Sequence, residues 1–321
     1  MAEIIYTGEA PTKEIFQVYS ETMEELFLED SNVVYIDADL MGSLKTNGLW
    51  KKYPNNVFNT GIQESNMVGV ACGMYLAGMK PYIHSFSPFV SRRVFDQVFV
   101  SGAYAKKSLR IIGSDAGIAA TYNGGTHMSF EDIAMYRTIP GACIVDVSDA
   151  VMFRHFLKAT KDREGITYLR TARRGVADIY DTSECFEEGK GKILKEGTDA
   201  TIIASGIQVK EALEAARILE SEGLSIRVID VITIKPLDEE LVIDSARKTG
   251  LIITTENHNV NGGLGDAVAS ITANYCPVHV LKNGVKDVFG QVGNEDFLKE
   301  QYHLRAIDIA MLVKQGLRNK D

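Results

Sequence analysis

The sequence predicts an α/β protein built from two consecutive three-layer domains, residues 1–183 and 184–321. Short apolar runs of strand length alternate with segments of helical periodicity in both halves, an order typical of parallel sheets covered by helices. An acidic, glycine-containing stretch without periodicity, residues 178–192, separates the two series and is the best candidate linker. A chain of 321 residues has room for two domains of ordinary size.

The first half is predicted to contain a parallel sheet with helices between its strands. Its first helix, residues 11–28, carries apolar side chains at near-helical spacing and begins with a proline, which is favoured in a first helical turn. Helix 65–77 is apolar on almost every face and stops at Gly78, so we expect it to be buried. Strands are expected at 33–37, 57–59, 80–85, 109–113, 142–147 and 166–171, with further helices at 89–106, 130–137 and 150–161.

The second half repeats this alternation. Asp238 is a suitable N-cap for a helix that extends to residue 248. The glycine-rich turn at 262–265 opens another helix, but its spacing is not that of a dinucleotide-binding loop, and a tight turn is the simpler interpretation. Strands are expected at 201–206, 225–231 and 251–256, and helices at 209–222, 239–248, 262–275 and 306–317.

Composition limits the classes of function. With 34 basic and 43 acidic residues the net charge is −9, which opposes nucleic-acid binding, whereas small anionic substrates remain compatible with a few local arginines and serines. The four cysteines are far apart, so we expect neither a zinc ribbon nor a disulfide framework, and a reducing cytoplasm is the simplest compartment. The N-terminal residues 1–6 lack an export signal and no apolar run is long enough to span a bilayer, so neither export nor membrane insertion is expected.

Three groups of chemically useful side chains follow the ends of predicted strands. Glu64 lies between strand 57–59 and the apolar helix, Phe86 and Phe89 follow the next strand, and the irregular loop 114–129 contains Asn123 and His127. A single glutamate at a helix start is more often structural than catalytic, because the positive end of the helix favours it. Together, however, the three groups gather at the carboxyl edge of one parallel sheet, where α/β folds bind ligands.

Four motifs follow one another along the chain: Asp39-Leu40-Met41-Gly42-Ser43, Gly61-Ile62-Gln63-Glu64, Phe86-x-x-Phe89, and Gly125-Thr126-His127 followed by Glu131-Asp132. With these motifs the sequence resembles the pyrimidine-binding half of transketolase and of its relative 1-deoxyxylulose-5-phosphate synthase. The second domain is similar to the C-terminal domain of the same proteins, so the resemblance covers essentially the whole chain. Each motif is weak alone, and their order and spacing make the set specific.

The resemblance implies a thiamine diphosphate cofactor and a role for each matching residue. Glu64 is implied as the catalytic carboxylate at a ring nitrogen of the aminopyrimidine, and a buried helix start suits a shared proton. Phe86 and Phe89 are implied as the aromatic wall of the pyrimidine pocket, and Asp39 as a neighbour of the thiazolium. His127 resembles a catalytic histidine that contacts donor oxygens. Ser43 and Arg170 occupy positions implied to bind substrate phosphate, for which an arginine fork is suited.

A missing motif predicts a partner subunit. In this family a metal held by Gly-Asp-Gly anchors the diphosphate, and this tripeptide is absent from the chain. The chain therefore looks like the C-terminal subunit of a split transketolase, with Mg²⁺ and diphosphate ligands supplied by an N-terminal transketolase subunit. By resemblance, two copies of each subunit would form a heterotetramer that transfers a two-carbon ketol unit between sugar phosphates.

Two departures from the usual transketolase pattern leave the substrate open. Asn123 stands where an aspartate usually reads a donor hydroxyl, and Ser114 stands where a further phosphate-contacting histidine is expected. A deoxyxylulose phosphate synthase-like enzyme and the beta subunit of a 2-oxo acid dehydrogenase are alternatives, although the Gly125-Thr126-His127 motif resembles the sugar-phosphate branch. From another class, the chain could be a noncatalytic scaffold subunit that retains the fold.

Overall fold

The computed structural model describes residues 4–9 and 11–319, so the expected lack of an export signal at residues 1–3 lies outside the described residues. In the described part of the chain, the strands are β1 (Val33–Asp37), β2 (Val57–Asn59), β3 (Lys80–Phe86), β4 (Leu109–Ser114), β5 (Cys143–Asp146), β6 (Ile166–Arg170), β7 (Lys192–Lys195), β8 (Ala200–Ala204), β9 (Ile226–Asp230), β10 (Thr233–Lys235), β11 (Leu251–Asn259) and β12 (His279–Val285). The helices are α1 (Ile15–Glu29), α2 (Asn47–Lys52), α3 (Glu64–Leu76), α4 (Ser87–Val90), α5 (Asp132–Arg137), α6 (Ala150–Ala159), α7 (Gln208–Ser221), α8 (Glu239–Thr249), α9 (Leu264–Tyr275), α10 (Glu295–Gln301) and α11 (Ala306–Arg318), with a π-helical segment at Gln97–Tyr104 and a 3₁₀ segment at Gly117–Asn123.

The larger sheet has the strand order β10-β5-β6-β4-β3-β1-β2, and β10 is antiparallel to β5 while the other neighbours pair in parallel. Strands β1, β4, β5 and β6 are buried along their whole length, which explains why they read as continuous apolar runs. Helices α1 and α6 pack on one face of this sheet and α3 on the other. This is the predicted three-layer arrangement.

The second sheet has the order β12-β11-β8-β9-β7, with β7 as an antiparallel edge strand. Helices α7 and α11 cover one face, and α8 and α9 cover the other. The α/β class and its two successive sheets are therefore confirmed. The predicted boundary between residues 183 and 184 falls in the segment between β6 and β7, and its placement stays a prediction.

Several elements differ from the expectation. The predicted helix 89–106 divides into α4 and the π-helical segment, and the elements α2, β7, β10, β12 and α10 were not expected. Strand β10 comes from the second half of the chain but pairs with β5 of the first sheet. A strand of three residues has too few positions to produce a periodic signal, so only the tertiary structure reveals it.

The expectation that helix α3 is buried on all sides is wrong for this chain on its own. One side of the helix is exposed, including Ser65, Gly69, Gly73 and Leu76. The apolar character on this side comes largely from glycines, which carry no side chain to bury. Helix apolarity therefore overstated the area that α3 packs against its own chain.

In the residues that the structure describes, no helix is both long enough and apolar enough to cross a membrane.

Asp230 of the second half accepts hydrogen bonds from residues of the first half, and its ionisation makes the free energy of unfolding depend on pH. Its buried carboxylate accepts hydrogen bonds from the hydroxyls of Ser148 and Tyr180, the latter at 2.9 Å, and from the backbone N–H of Ile232 at 3.1 Å. Burial raises the pKa of Asp230 to about 7. In the unfolded chain this carboxyl titrates at about pH 4. Between about pH 4 and about pH 7 the folded state therefore binds one more proton than the unfolded state. The stability that this proton provides is lost progressively as the pH rises through this window.

We expect Asp230→Asn to remove this pH dependence, since the amide stays neutral. Relative to the variant, the wild-type free energy of unfolding should fall by on the order of 2 kcal/mol between pH 5 and pH 8. Urea unfolding of both proteins at several pH values measures the difference, which cancels the contributions of other titrating groups. Parallel pH profiles for the two proteins would contradict the prediction.

Candidate active site

Glu64 is a buried carboxylate at the first residue of α3, with only 2% of its surface exposed. One carboxylate oxygen accepts a hydrogen bond from the Ser85 hydroxyl at 3.2 Å. The Arg93 guanidinium donates to both carboxylate oxygens, at 2.9 and 2.8 Å. The positive end of α3 also favours the negative charge. Glu64 and Arg93 both line an open surface groove, in which the Arg93 guanidinium covers the carboxylate.

An aromatic wall stands beside this carboxylate. The Phe86 and Phe89 ring centroids lie 6.0 Å apart, and the His127 ring meets both of them edge-on, at 5.9 and 5.1 Å respectively. The Arg93 guanidinium lies 4.0 Å above the centroid of the Phe89 ring. The structure therefore brings together four of the residues expected from the sequence, Glu64, Phe86, Phe89 and His127. Arg93 connects them, because it donates to Glu64 and lies over the Phe89 ring.

Arg93 is a site residue that the sequence analysis missed. Its position four residues after Phe89, within the predicted helix 89–106, was the available signal, because such spacing places two side chains on one face. Its planar guanidinium lies against an aromatic face and donates two hydrogen bonds to a buried carboxylate. A flat, nitrogen-rich ring that donates a hydrogen bond to Glu64 would satisfy the same groups, so this half of the site fits an aminopyrimidine.

A second arginine borders the aromatic wall on its other side. The Arg173 guanidinium lies 5.7 Å from the Phe86 ring centroid and pairs with Asp115, with Nε 3.2 Å from the carboxylate. Burial raises the pKa of Asp115, while the arginine acts in the opposite direction. Ser114, which the resemblance placed at a substrate position, is fully buried and bonds His84 and Asp115 instead. Of the two neighbouring residues Ser114 and Asp115, it is therefore Asp115 that faces Arg173.

The remaining expected residues lie on loops around this edge. Asp39 is exposed after β1 with a positive φ of 65°, and its carboxylate accepts a hydrogen bond from the Asn59 side chain at 3.3 Å. Ser43 is half-buried in the following turn, and Asn123 is exposed at the end of the 3₁₀ segment. Among the described residues, these three side chains are not hydrogen-bonded to Glu64. Their assignment as ligand-binding residues stays a prediction.

Arg170 is placed differently from the expectation that it binds substrate phosphate. Only 1% of its side chain is exposed, and it pairs with Asp132 at 2.8 Å and with Asp146 at 3.1 Å. Its remaining nitrogen donates to the backbone oxygens of Ser129 and Asn257, at 3.4 and 2.6 Å. Burial opposes ionisation of Asp132, yet Arg170 holds the pKa of that carboxyl below its ordinary value. Because its donors already have buried partners, we correct the expected role of Arg170 to a structural one.

The residues that the structure describes contain no group of three histidine, cysteine, aspartate or glutamate side chains arranged to hold a metal ion. The side chains gathered here can bind a planar heterocycle and present the Glu64 carboxylate to it. Arg173 adds a cation near the aromatic wall.

Comparison with known proteins identifies both halves of the chain. The family model of the transketolase pyrimidine-binding domain matches residues 12–177, and that of the transketolase C-terminal domain matches residues 189–309. A Clostridium sp. (strain MSTE9) protein, 6-deoxy-6-sulfo-D-fructose transketolase subunit, is 41% identical over 94% of this chain and 94% of its own length. An apulose-4-phosphate transketolase subunit of Phocaeicola vulgatus is 35% identical over 89% of this chain and 92% of its own.

A solved structure gives the same result for the fold. The chain is similar to a structure described as a split gene transketolase, inactive beta4 tetramer, with a TM-score of 0.87 and 39% identity. The similarity covers 96% of this chain and 99% of that one.

Proposed function

The chain belongs to the transketolase family, and we propose that it supplies the aminopyrimidine pocket of a thiamine diphosphate-dependent transketolase that a partner subunit completes. The observation that carries this proposal is the buried Glu64 carboxylate, held by a planar guanidinium that lies against Phe89. When bound, thiamine diphosphate supplies the carbon nucleophile for transferring a two-carbon ketol unit from a ketose to an aldose.

The residues of this chain bind, orient and exchange protons. Glu64 holds a proton at the ring nitrogen of the aminopyrimidine, and its burial keeps bulk water from competing for that proton. Phe86 and Phe89 hold the ring by stacking and apolar contact. For the ring to reach Glu64, the Arg93 side chain moves aside or shares the carboxylate, and 43% of that side chain is exposed and free to do so.

His127, Asn123, Asp39 and Ser43 are proposed to contact the sugar and the reacting end of the cofactor. His127 has the best support, because its ring already meets Phe86 and Phe89. The diphosphate and Mg²⁺ are assigned to the N-terminal partner subunit, since the chain lacks the Gly-Asp-Gly tripeptide. A cytoplasmic heterotetramer with two copies of each subunit is the proposed assembly.

We propose a ketose with an anionic end as the donor. Arg173 lies beside the aromatic wall and can pair with such a group through its planar fork. A ketose phosphate is the first candidate. A sulfonated ketose is the second, because the relative that is 41% identical is named for 6-deoxy-6-sulfo-D-fructose. The Asp115 carboxylate, which pairs with Arg173, repels a dianionic phosphate more strongly than a monoanionic sulfonate. This difference in charge favours the sulfonated ketose over the ketose phosphate.

Co-purification with the product of the neighbouring gene tests this function. The chain alone should show no turnover with thiamine diphosphate and Mg²⁺, whereas the pair should transfer a two-carbon unit to an aldose phosphate. Ketose phosphates, 6-deoxy-6-sulfo-D-fructose and pyruvate are assayed as separate donors with matched acceptors. Robust turnover by the lone chain would overturn the shared site, and activity with pyruvate alone would favour the 2-oxo acid dehydrogenase alternative.

A further inference from the structure

The loop that carries Asn123 and His127 belongs to the first domain by sequence but packs on the second. We define the recognition loop as residues 116–130, between β4 and α5. Its buried apolar side chains form a separate small hydrophobic core with side chains that follow β11 in the chain. The members of this core are Ile118, Ala120, Met128 and Phe130 from the loop, and Val285, Leu298, Tyr302 and Leu304 from the second domain.

Asn257, near the end of β11, fixes the start of the recognition loop. It is 2% exposed, and its side-chain oxygen accepts from the backbone N–H of Ile118 at 3.0 Å while its nitrogen donates to the carbonyl of Ala116 at 2.9 Å. Gly117, between these two residues, has a φ of +55°, and a Cβ there would lie 2.2 Å from the Asn257 oxygen. The end of the loop is held similarly, because the N–H of Asn259 donates to the carbonyl of Phe130 at 2.9 Å.

A glycine-to-glycine contact fixes the middle of the recognition loop. A Cβ on Gly125 would lie 2.3 Å from the carbonyl oxygen of Gly290, and a Cβ on Gly290 would lie 2.6 Å from the Met128 sulfur and 2.8 Å from the Gly125 Cα. The two backbones approach so closely that neither position has space for a side chain. Gly125 lies two residues from both Asn123 and His127.

We propose that the second domain positions the recognition loop, with Asn257 and Gly290 acting as positioning residues for Asn123 and His127. The domain thereby sets how the site holds its sugar donor without touching it, an inference that deepens the proposed function and rests on it for the kinetic measurements. A displacement of about 1 Å in a substrate-contacting group can lower the rate by about a hundredfold. Glu64, Phe86 and Phe89 lie on other segments, although the His127 ring meets both phenylalanines, so we expect these contacts to affect donor binding more than cofactor binding.

Gly290→Ala tests the inference, with Gly48→Ala as its matched control. A Cβ on Gly48 meets no atom within 4 Å, whereas a Cβ on Gly290 displaces the recognition loop. In the full chain, we expect backbone amide exchange of residues 117–128 to become about tenfold faster in Gly290→Ala and to stay unchanged in the control. Asn257→Asp, which loses the donor to the Ala116 carbonyl, should accelerate exchange at the start of the loop.

In the assembled pair, Gly290→Ala should raise the donor KM and lower kcat/KM by about ten- to a hundredfold. Its dissociation constant for thiamine diphosphate, from fluorescence titration, should rise by a much smaller factor than the donor KM, because Glu64, Phe86 and Phe89 lie outside the recognition loop. If the loop amides of both Gly290→Ala and Asn257→Asp exchanged at wild-type rates, the inference would be overturned. An equal loss of cofactor and donor affinity would also overturn it, because that pattern indicates general damage. Faster loop exchange in a pair without transketolase activity would uphold the positioning and reject the proposed function instead.

Discussion

Replacing Glu64 with glutamine is expected to lower kcat of the assembled complex by about 10²- to 10⁴-fold, the usual contribution of a positioned acid or base. Glutamine preserves the shape of the side chain and can still accept one hydrogen bond from Arg93 or Ser85. It cannot hold a shared proton at the ring nitrogen of the aminopyrimidine. Steady-state turnover of the reconstituted pair, with thermal unfolding of each preparation, measures the effect.

Glu25→Gln is the matched control for this substitution. Glu25 also accepts from one arginine at both carboxylate oxygens, at 2.6 and 2.7 Å from Arg154, but it lies on the surface between α1 and α6. Exposed ion pairs contribute about 0–1 kcal/mol, so activity and stability should both stay close to wild type. Unchanged turnover in Glu64→Gln would reject the catalytic role and favour the noncatalytic scaffold alternative.

Replacing Arg170 with methionine should destabilise the chain by about 3–5 kcal/mol, the range found when one member of a buried ion pair is removed. The carboxylates of Asp132 and Asp146 would be left buried without their cation. The backbone oxygen of Asn257 would also lose its donor, which loosens the contact between the two domains. The midpoint of urea unfolding, measured with an unchanged slope, reports this loss.

Arg173→Gln provides the contrast. Its side chain is 22% exposed and borders the aromatic wall, but its partner Asp115 is buried, so we expect a smaller loss of stability than in Arg170→Met together with a raised KM for an anionic donor. The two variants thus separate a structural arginine from a proposed ligand. An Arg170 variant with wild-type stability and a raised donor KM would restore the role expected from the resemblance.

The order of the chain predicted which groups meet at the sheet edge. Glu64, the two phenylalanines and His127 each follow a strand end, and parallel strands bring their carboxyl ends to one edge. The positions of the strands could also be predicted, because buried parallel strands produce apolar runs that are local features of the sequence. The α/β class, the two sheets and the central members of the candidate site could therefore be predicted.

Arg93, Arg173 and Arg170 show what local patterns omit. A pattern indicates that an arginine is present but not which carboxylate it meets: Arg93 bonds Glu64, Arg173 bonds Asp115, and Arg170 is enclosed by Asp132 and Asp146. Each of these pairings joins residues at least 24 positions apart, on segments whose relative placement is set by packing of the whole sheet. The identity of the partner determines whether each guanidinium is available to a ligand.

By itself, the sequence determined the α/β class, the position of Glu64 at a helix start and the absence of a Gly-Asp-Gly diphosphate motif, because each is written in adjacent residues. Only the tertiary structure decided that Arg93 covers Glu64, that Arg170 is structural and that the recognition loop packs on the second domain. Those features depend on which surfaces come into contact after folding. Hydrophobic periodicity shows that a side chain will be buried, but not the neighbour against which it packs.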